Sequence, residues 1–220
     1  MSKVLPILFN ADMIRAILDG RKTVTRRLIK PQQLIGILPD KCKNGTTEEF
    51  LKEKKYMFKP YCDMTDAELI STSYKPQYQP GDILYVRETF DYLEGWKIGD
   101  PGIEGKYFYR ADGDLRPVSW RGKWHPSLHM PKDAARIFLK VKDVRAERLQ
   151  NMTPQEAWRE GARCSCMSPV PDCLGNKTEF IFIWNSTIKK SDIDRYGWDA
   201  NPWVWVIEFE RCEKPEGWCE

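Results

Sequence analysis

"RIFLKVKDVRAERLQNMTPQEAWREG", residues 136–161, decides the fold class. Apolar and polar side chains alternate from Leu139 to Lys142, and β-branched or apolar residues return at Val144 and Ala146, the period-two pattern of strands with one buried face. Asp143 interrupts that pattern and predicts a turn or bulge, so the segment reads as two strands. The pattern then changes within a few residues. Thr153 is placed to cap a helix, Pro154 suits its first position, Glu156 completes a capping box three residues after the threonine, and Gly161 ends the helix after about two turns. A strand pair running straight into a short capped helix predicts an α+β chain.

Working outward, "NPWVWVIEFERC" (201–212) is a strand rich in β-branched and aromatic residues, with Trp203, Trp205 and Ile207 sharing one face. "PGDILYVRETF" (80–90) is a turn followed by a strand, and "GKYFYRAD" (105–112) reads as its antiparallel neighbour. "VLPILFN" (4–10) supplies a first strand. "ADMIRAILDG" (11–20) follows as a helix with Met13, Ile14, Ile17 and Leu18 on one face and Gly20 at its C-cap. A further helix is expected over 177–188. Five or six short strands interrupted by helices predict a small, mostly antiparallel β-barrel decorated with helices. The 220 residues form one domain on this reading, with insertions at about 32–79 and 162–176. The first insertion has room for a short helix in "TTEEFLKEKKYMF", capped by Thr46 or Thr47.

Thirty-five Lys and Arg against 32 Asp and Glu leave a net charge of only +3, so an electrostatic argument must rest on local clusters. Apolar runs such as "FIFIW" and "WVWVI" are too short to span a bilayer, and "MSKVLPILFN" lacks the core and cleavage site of a signal peptide. The expected location is the cytoplasm, with no membrane partner. Seven cysteines, an odd number, argue against a disulfide framework and for mostly reduced thiols. "CSCMSPVPDC" (Cys164, Cys166, Cys173) offers three sulfur ligands, with His125 or His129 as a distant fourth. Its spacing falls short of a paired zinc signature, so thiols in an exposed loop are expected, with no metal and no cofactor. No phosphate-binding loop, dinucleotide fingerprint, zincin helix or nucleophile elbow occurs, which leaves those enzyme classes without support.

"DGRKTVTRRLIK" (19–30) is the strongest local cluster of positive charge, with Arg21, Lys22, Arg26, Arg27 and Lys30 around Thr23 and Thr25. Arginines of this kind, together with Arg87, bind phosphate or carboxylate through paired hydrogen bonds. Glu88 adjoins Arg87, and strand alternation sends the two to opposite faces. "KWHPSLHMP" gathers Trp124, His125 and His129. Trp124 offers a surface on which a base can stack, and His129 stands where it can face a pocket.

Taken together, "ILFNADMIRAILDGRKTVTRRLIKP", "GDILYVRETF", "WHPSLHMPKDAARIFLKVKDVRAERLQNMTPQEAWREG" and "NPWVWVIEFE" resemble the ASCH-domain proteins of bacteriophages and prophages. The resemblance covers roughly 4–31, 80–90, 124–161 and 201–210. It implies a PUA-like barrel and an association with RNA and nucleoside chemistry. Of the family's Gly-x-Lys-x-x-Glu-x-Arg signature, Gly20, Lys22 and Arg27 match, while Thr25 stands where the glutamate is usual. One bacterial branch, the N4-acetylcytidine amidohydrolases, is similar in reading Gly-Arg-Lys-Thr-x-Thr here. That resemblance implies Lys22, Thr25 and Glu160 as catalytic residues; Arg21, Arg26, Arg27, Arg87, Glu88, Trp124 and His129 are the candidates for substrate binding by residue type and position. It makes a modified pyrimidine nucleoside or RNA the expected partner. Thr25 would attack the amide, Lys22 would take its proton, and Glu160 would activate water or hold the amino edge of the cytosine. The competing expectations are an RNA- or DNA-binding module that uses the same basic groove without chemistry, and a ribonuclease.

Overall fold

A computed structural model describes residues 2–30, 65–92, 107–116, 122–166 and 170–218. Strand β1 (Val4–Leu8) leads into helix α1 (Ala11–Leu18), capped by the Asn10 side chain, which accepts from the Met13 N–H. Strand β2 (Val24–Leu28) follows. Helix α2 (Asp66–Ser73) carries a full Thr65–Glu68 capping box. Strands β3 (Ile83–Arg87), β4 (Phe90–Tyr92), β5 (Tyr107–Tyr109) and β6 (Phe138–Arg148) precede helix α3 (Pro154–Arg159). Helix α4 (Leu174–Thr187) and strand β7 (Trp203–Cys212) complete the elements that frame the site. The helix expected in 46–58 lies outside the described residues.

Five strands form one sheet in the order β1-β3-β6-β7-β2, and β4 pairs with β5 in a separate ribbon. The β1–β3 pairing is parallel and the others are antiparallel, so the chain is a mixed α+β protein with a mostly antiparallel sheet. β7 is buried on both faces. Trp203, Trp205, Ile207 and Phe209 pack with Ile7, Phe9, Ile14, Ile17 and Leu139, while Val204 and Val206 pack with Val24, Leu149, Met152, Ala157 and Phe180. That double burial explains why "WVWVI" is a continuous apolar run rather than an alternating one.

Three expectations are corrected by this topology. Residues 138–148 form one strand rather than two, because the irregularity at Asp143 is a bulge between Val141 and Asp143 across which pairing with β7 continues. Tyr107–Tyr109 pairs with Phe90–Tyr92 and not with 83–87, since β1 and β6 already occupy both edges of β3. The helix expected from 177 begins at Leu174.

β1 and β2 are the two edges of the sheet, and no ladder joins them among the described residues. They approach through a side chain. The Arg27 Nη2 of β2 donates to the Leu8 carbonyl at 2.9 Å, and its guanidinium lies 5.5 Å from the centre of the Phe9 ring.

Two glycines close the helices that flank the site. Gly20 follows α1 with φ +73° and Gly161 follows α3 with φ +97°, a region in which an L side chain is strained. Around Gly20 there is open space, whereas a β-carbon added at Gly161 would stand 3.1 Å from Ala16 Cβ and 3.5 Å from Lys22 Cδ. Gly20→Ala should therefore cost about 1 kcal/mol, and Gly161→Ala distinctly more. Urea denaturation of the two variants checks this, and equal costs would refute the close contact of α3 with Lys22.

Candidate active site

Gly20 turns the chain out of α1, so Lys22 lies in the connection before β2 rather than on the strand. That connection is held on three sides. The Lys22 N–H donates to Ala16 O at 2.8 Å, the Thr23 N–H to Arg159 O at 2.9 Å, and the Thr23 carbonyl accepts from the Phe209 N–H at 2.9 Å. The C-termini of α1 and α3 and strand β7 thus fix where the Lys22 side chain begins.

From there the Lys22 side chain runs inward and is buried to 2 % exposure. Its Nζ donates to Val24 O at 2.8 Å, to Glu160 O at 2.6 Å and to Glu160 Oε2 at 2.7 Å. Three acceptors match the three N–H bonds of an ammonium. Glu160 reaches this position because it is the C-cap of α3, placed by the Thr153–Glu156 capping box at the other end of a helix less than two turns long. Burial is the largest influence on Lys22 and lowers its pKa, Glu160 raises it in opposition, and Arg27 and Arg26 lower it further; the net direction is down. The Lys22 amine thus gives up its proton more readily than a free lysine, although Glu160 stands 2.7 Å away.

Arg26 approaches the other oxygen of Glu160. Its side chain is 1 % exposed, with Nη1 3.4 Å from Glu160 Oε1 and Nη2 3.4 Å from Glu156 Oε2 and 3.6 Å from Glu147 Oε2. Arg26 Nε and Nη2 have no hydrogen-bond acceptor among the described residues, so long ion pairs hold the guanidinium. The cluster continues outward: Arg145 contacts Glu147, Glu156 and Glu208, and Arg159 donates to Glu208 at 2.9 Å. Four cations, Lys22, Arg26, Arg145 and Arg159, thus face four glutamates, with Asp143 at the exposed margin. Burial pushes Glu208 up, but the hydrogen bonds from Arg145 and Arg159 outweigh it and hold the carboxyl below its usual range.

Lys22 and Glu160, paired by the resemblance alone, are in direct contact. Thr25 is buried at 3 % and follows the residue whose carbonyl holds Nζ, yet neither Lys22 nor Glu160 hydrogen-bonds its hydroxyl. It sits on β2 opposite Ile207, on the strand face shared by Arg27. That face borders a cleft of about 220 Å³ lined by Arg27, Tyr74, Tyr78, Trp205 and Ile207 among others.

The substrate-binding candidates divide. Arg21 stays near the Lys22–Glu160 pair, donating to Gly161 O at 3.1 Å and lying 5.6 Å from the Trp158 ring centre. Arg26 is enclosed by the carboxylates of Glu147, Glu156 and Glu160. Arg87 donates to Met130 O at 2.9 Å. Glu88 is buried and receives both arms of Arg136, at 2.9 and 3.0 Å; burial nonetheless keeps its pKa above the usual carboxylate range. Trp124 stacks under Arg116 at 3.9 Å, and His125 packs on Phe90 and Tyr92 of the β4–β5 ribbon. His129 is exposed on a single helical turn. No hydrogen bond or ion pair among the described residues links Trp124, His125 or His129 to Lys22.

The arginine and glutamate support around Arg26 went unanticipated, although a signal was present. Glu156 and Glu160 are four apart on one helix, and Arg145 and Glu147 are two apart on one strand, so each pair shares a face.

No family model matches the chain, and no curated protein or solved structure matches it either. No helix among the described residues is long and apolar enough to cross a membrane.

Removing one member of the buried pair should cost more than removing both. Glu160→Met should cost about 3–5 kcal/mol because it leaves the Lys22 ammonium with backbone acceptors only, and adding Lys22→Met should recover much of that loss. Urea denaturation of the two single variants and the double variant checks the cycle, and additive costs would contradict it. Because the folded pKa of Glu208 is depressed, its contribution is present above the unfolded carboxyl pKa and is lost as pH falls through the folded value. Glu208→Gln should flatten the acid limb of stability against pH, and an unchanged limb would contradict the pairing with Arg145 and Arg159.

Proposed function

We propose that the chain is an amidohydrolase of the ASCH type, acting on an N4-acylated cytidine or a related modified pyrimidine nucleoside. The observation that carries this reading is the Lys22–Glu160 pair: a fully buried amine with a lowered pKa, 2.7 Å from a carboxylate. The approach of β2 to β1 through Arg27 and Leu8 supports the PUA-like barrel that goes with it.

Transfer of one proton from Lys22 to Glu160 leaves a neutral amine. As the Thr25 oxygen bonds to the acyl carbon, that amine takes the hydroxyl proton. Collapse of the tetrahedral intermediate breaks the bond to the cytosine nitrogen, which leaves with the proton returned by Lys22. Glu160 then returns its proton to Lys22; water attacks the acyl-threonine as the ionised Glu160 accepts the water proton, and that proton passes to the departing Thr25 oxygen, which releases the carboxylic acid and regenerates the hydroxyl. Opening of the buried site toward the Arg27–Tyr78 cleft is required to admit the acyl group.

The test is incubation with a panel of N4-acylated and otherwise modified nucleosides, with mass detection of the deacylated base. Wild type should release the acyl group at a rate nearly insensitive to salt, since few phosphates are contacted. Lys22→Ala and Glu160→Gln should each lower kcat by about 100-fold or more. Full activity in both variants, or no turnover of any acylated nucleoside by wild type, would overturn the proposal.

A further inference from the structure

The segment that follows Glu160 and Gly161 returns to the protein through sulfur. Cys164 is buried, Cys173 is half-buried and Cys166 is exposed, and their three Sγ atoms all lie within 4.8 Å of one another. Cys164 Sγ is 3.3 Å and Cys166 Sγ 3.8 Å from Cys173 Sγ, and Cys164 and Cys166 are in disulfide contact. Around a tetrahedral zinc ion, sulfur ligands at about 2.3 Å from the metal stand about 3.8 Å apart, so this cluster has the scale of a thiolate site. The expectation of thiols in an exposed loop does not hold for Cys164.

The surroundings are built to hold these sulfurs together. Asn176, fully buried, accepts from the Cys164 N–H at 3.0 Å and donates to Val170 O and Pro171 O at 2.8 and 3.1 Å. The Asn176 N–H in turn donates to Cys173 O at 3.0 Å, so one side chain and its own backbone register two of the three cysteines. Gly175 supplies the space: a β-carbon there would stand 2.7 Å from Cys164 Cβ and 3.6 Å from Cys173 Sγ. Cys173 occupies the N-cap of α4 without spending its side chain on a capping hydrogen bond.

We propose that Cys164, Cys166 and Cys173 form a binding site for a thiophilic divalent cation, zinc above all, when all three are reduced. No histidine or carboxylate among the described residues joins them, so water or another exogenous ligand takes the fourth tetrahedral position. A Cys164–Cys166 disulfide and the metal exclude each other, because the disulfide leaves Cys173 alone. The bound ion ties the chain leaving Glu160 to the start of α4, and by linkage it stabilises the folded state.

The experiment uses the full chain, reduced with a phosphine, desalted and titrated with Co²⁺ and then Zn²⁺. One equivalent of Co²⁺ should give a sulfur-to-cobalt charge-transfer band that one equivalent of Zn²⁺ abolishes, and zinc should raise the melting temperature. Cys166→Ser, at an exposed position that leaves folding intact, and Cys173→Ser should lose the band; Cys212→Ser should keep it. Absence of the band in the reduced wild type, or its persistence in Cys166→Ser with circular dichroism unchanged, would overturn the proposal.

Discussion

Everything around the site depends on one buried ion pair, Lys22 with Glu160. A charged amine in the interior carries a desolvation cost of several kcal/mol, which only close and complete hydrogen bonding offsets. The chain meets that demand with three oxygens around one nitrogen, two of them from the same residue. To place them, α1 must end at Gly20, α3 must end at Glu160, and Gly161 must let the chain pass close to the lysine stem. The separation of 138 residues between the partners makes this a tertiary device rather than a local one. Such a group contributes little to stability for its cost, and buried groups with perturbed pKa values are concentrated at functional sites in general.

The surrounding charges give the pair its direction. Arg26 draws on the second oxygen of Glu160 and is itself surrounded by Glu147 and Glu156, which Arg145 partly neutralises in turn. Arg26 Nη1 donates one 3.4 Å hydrogen bond to Glu160 Oε1, while its other approaches, at 3.4 and 3.6 Å to Glu156 and Glu147, are ion pairs. The outer Arg145 and Arg159 anchor on Glu208 of β7, which connects the site to the strand buried on both faces.

Much of the fold was legible in local sequence. The capping box at Thr153 and Glu156, the glycines at 20 and 161 and the run "WVWVI" all formed the elements they signal, because caps and apolar patterns act within a few residues. The failures share a cause. Asp143 reads equally as a turn or a bulge until its partner strand is known, and the pairing of Tyr107–Tyr109 depends on which edges of β3 are already occupied. At the site, Lys22 and Glu160 were named by resemblance, and their contact is decided only by the folded chain. Arg26 illustrates the limit: its charge suited a phosphate or a carboxylate equally, and the folded chain places it against three carboxylates.

Burial makes Lys22 give up its proton more readily than a free lysine, against the opposing pull of Glu160. The direct measurement is an NMR titration of the Lys22 Nζ and Cε resonances in wild type and in Glu160→Gln. The Lys22 pKa should lie below the ordinary lysine value in wild type, and lower still when the carboxylate is removed. A Lys22 that titrates at or above the ordinary value in both proteins would contradict it.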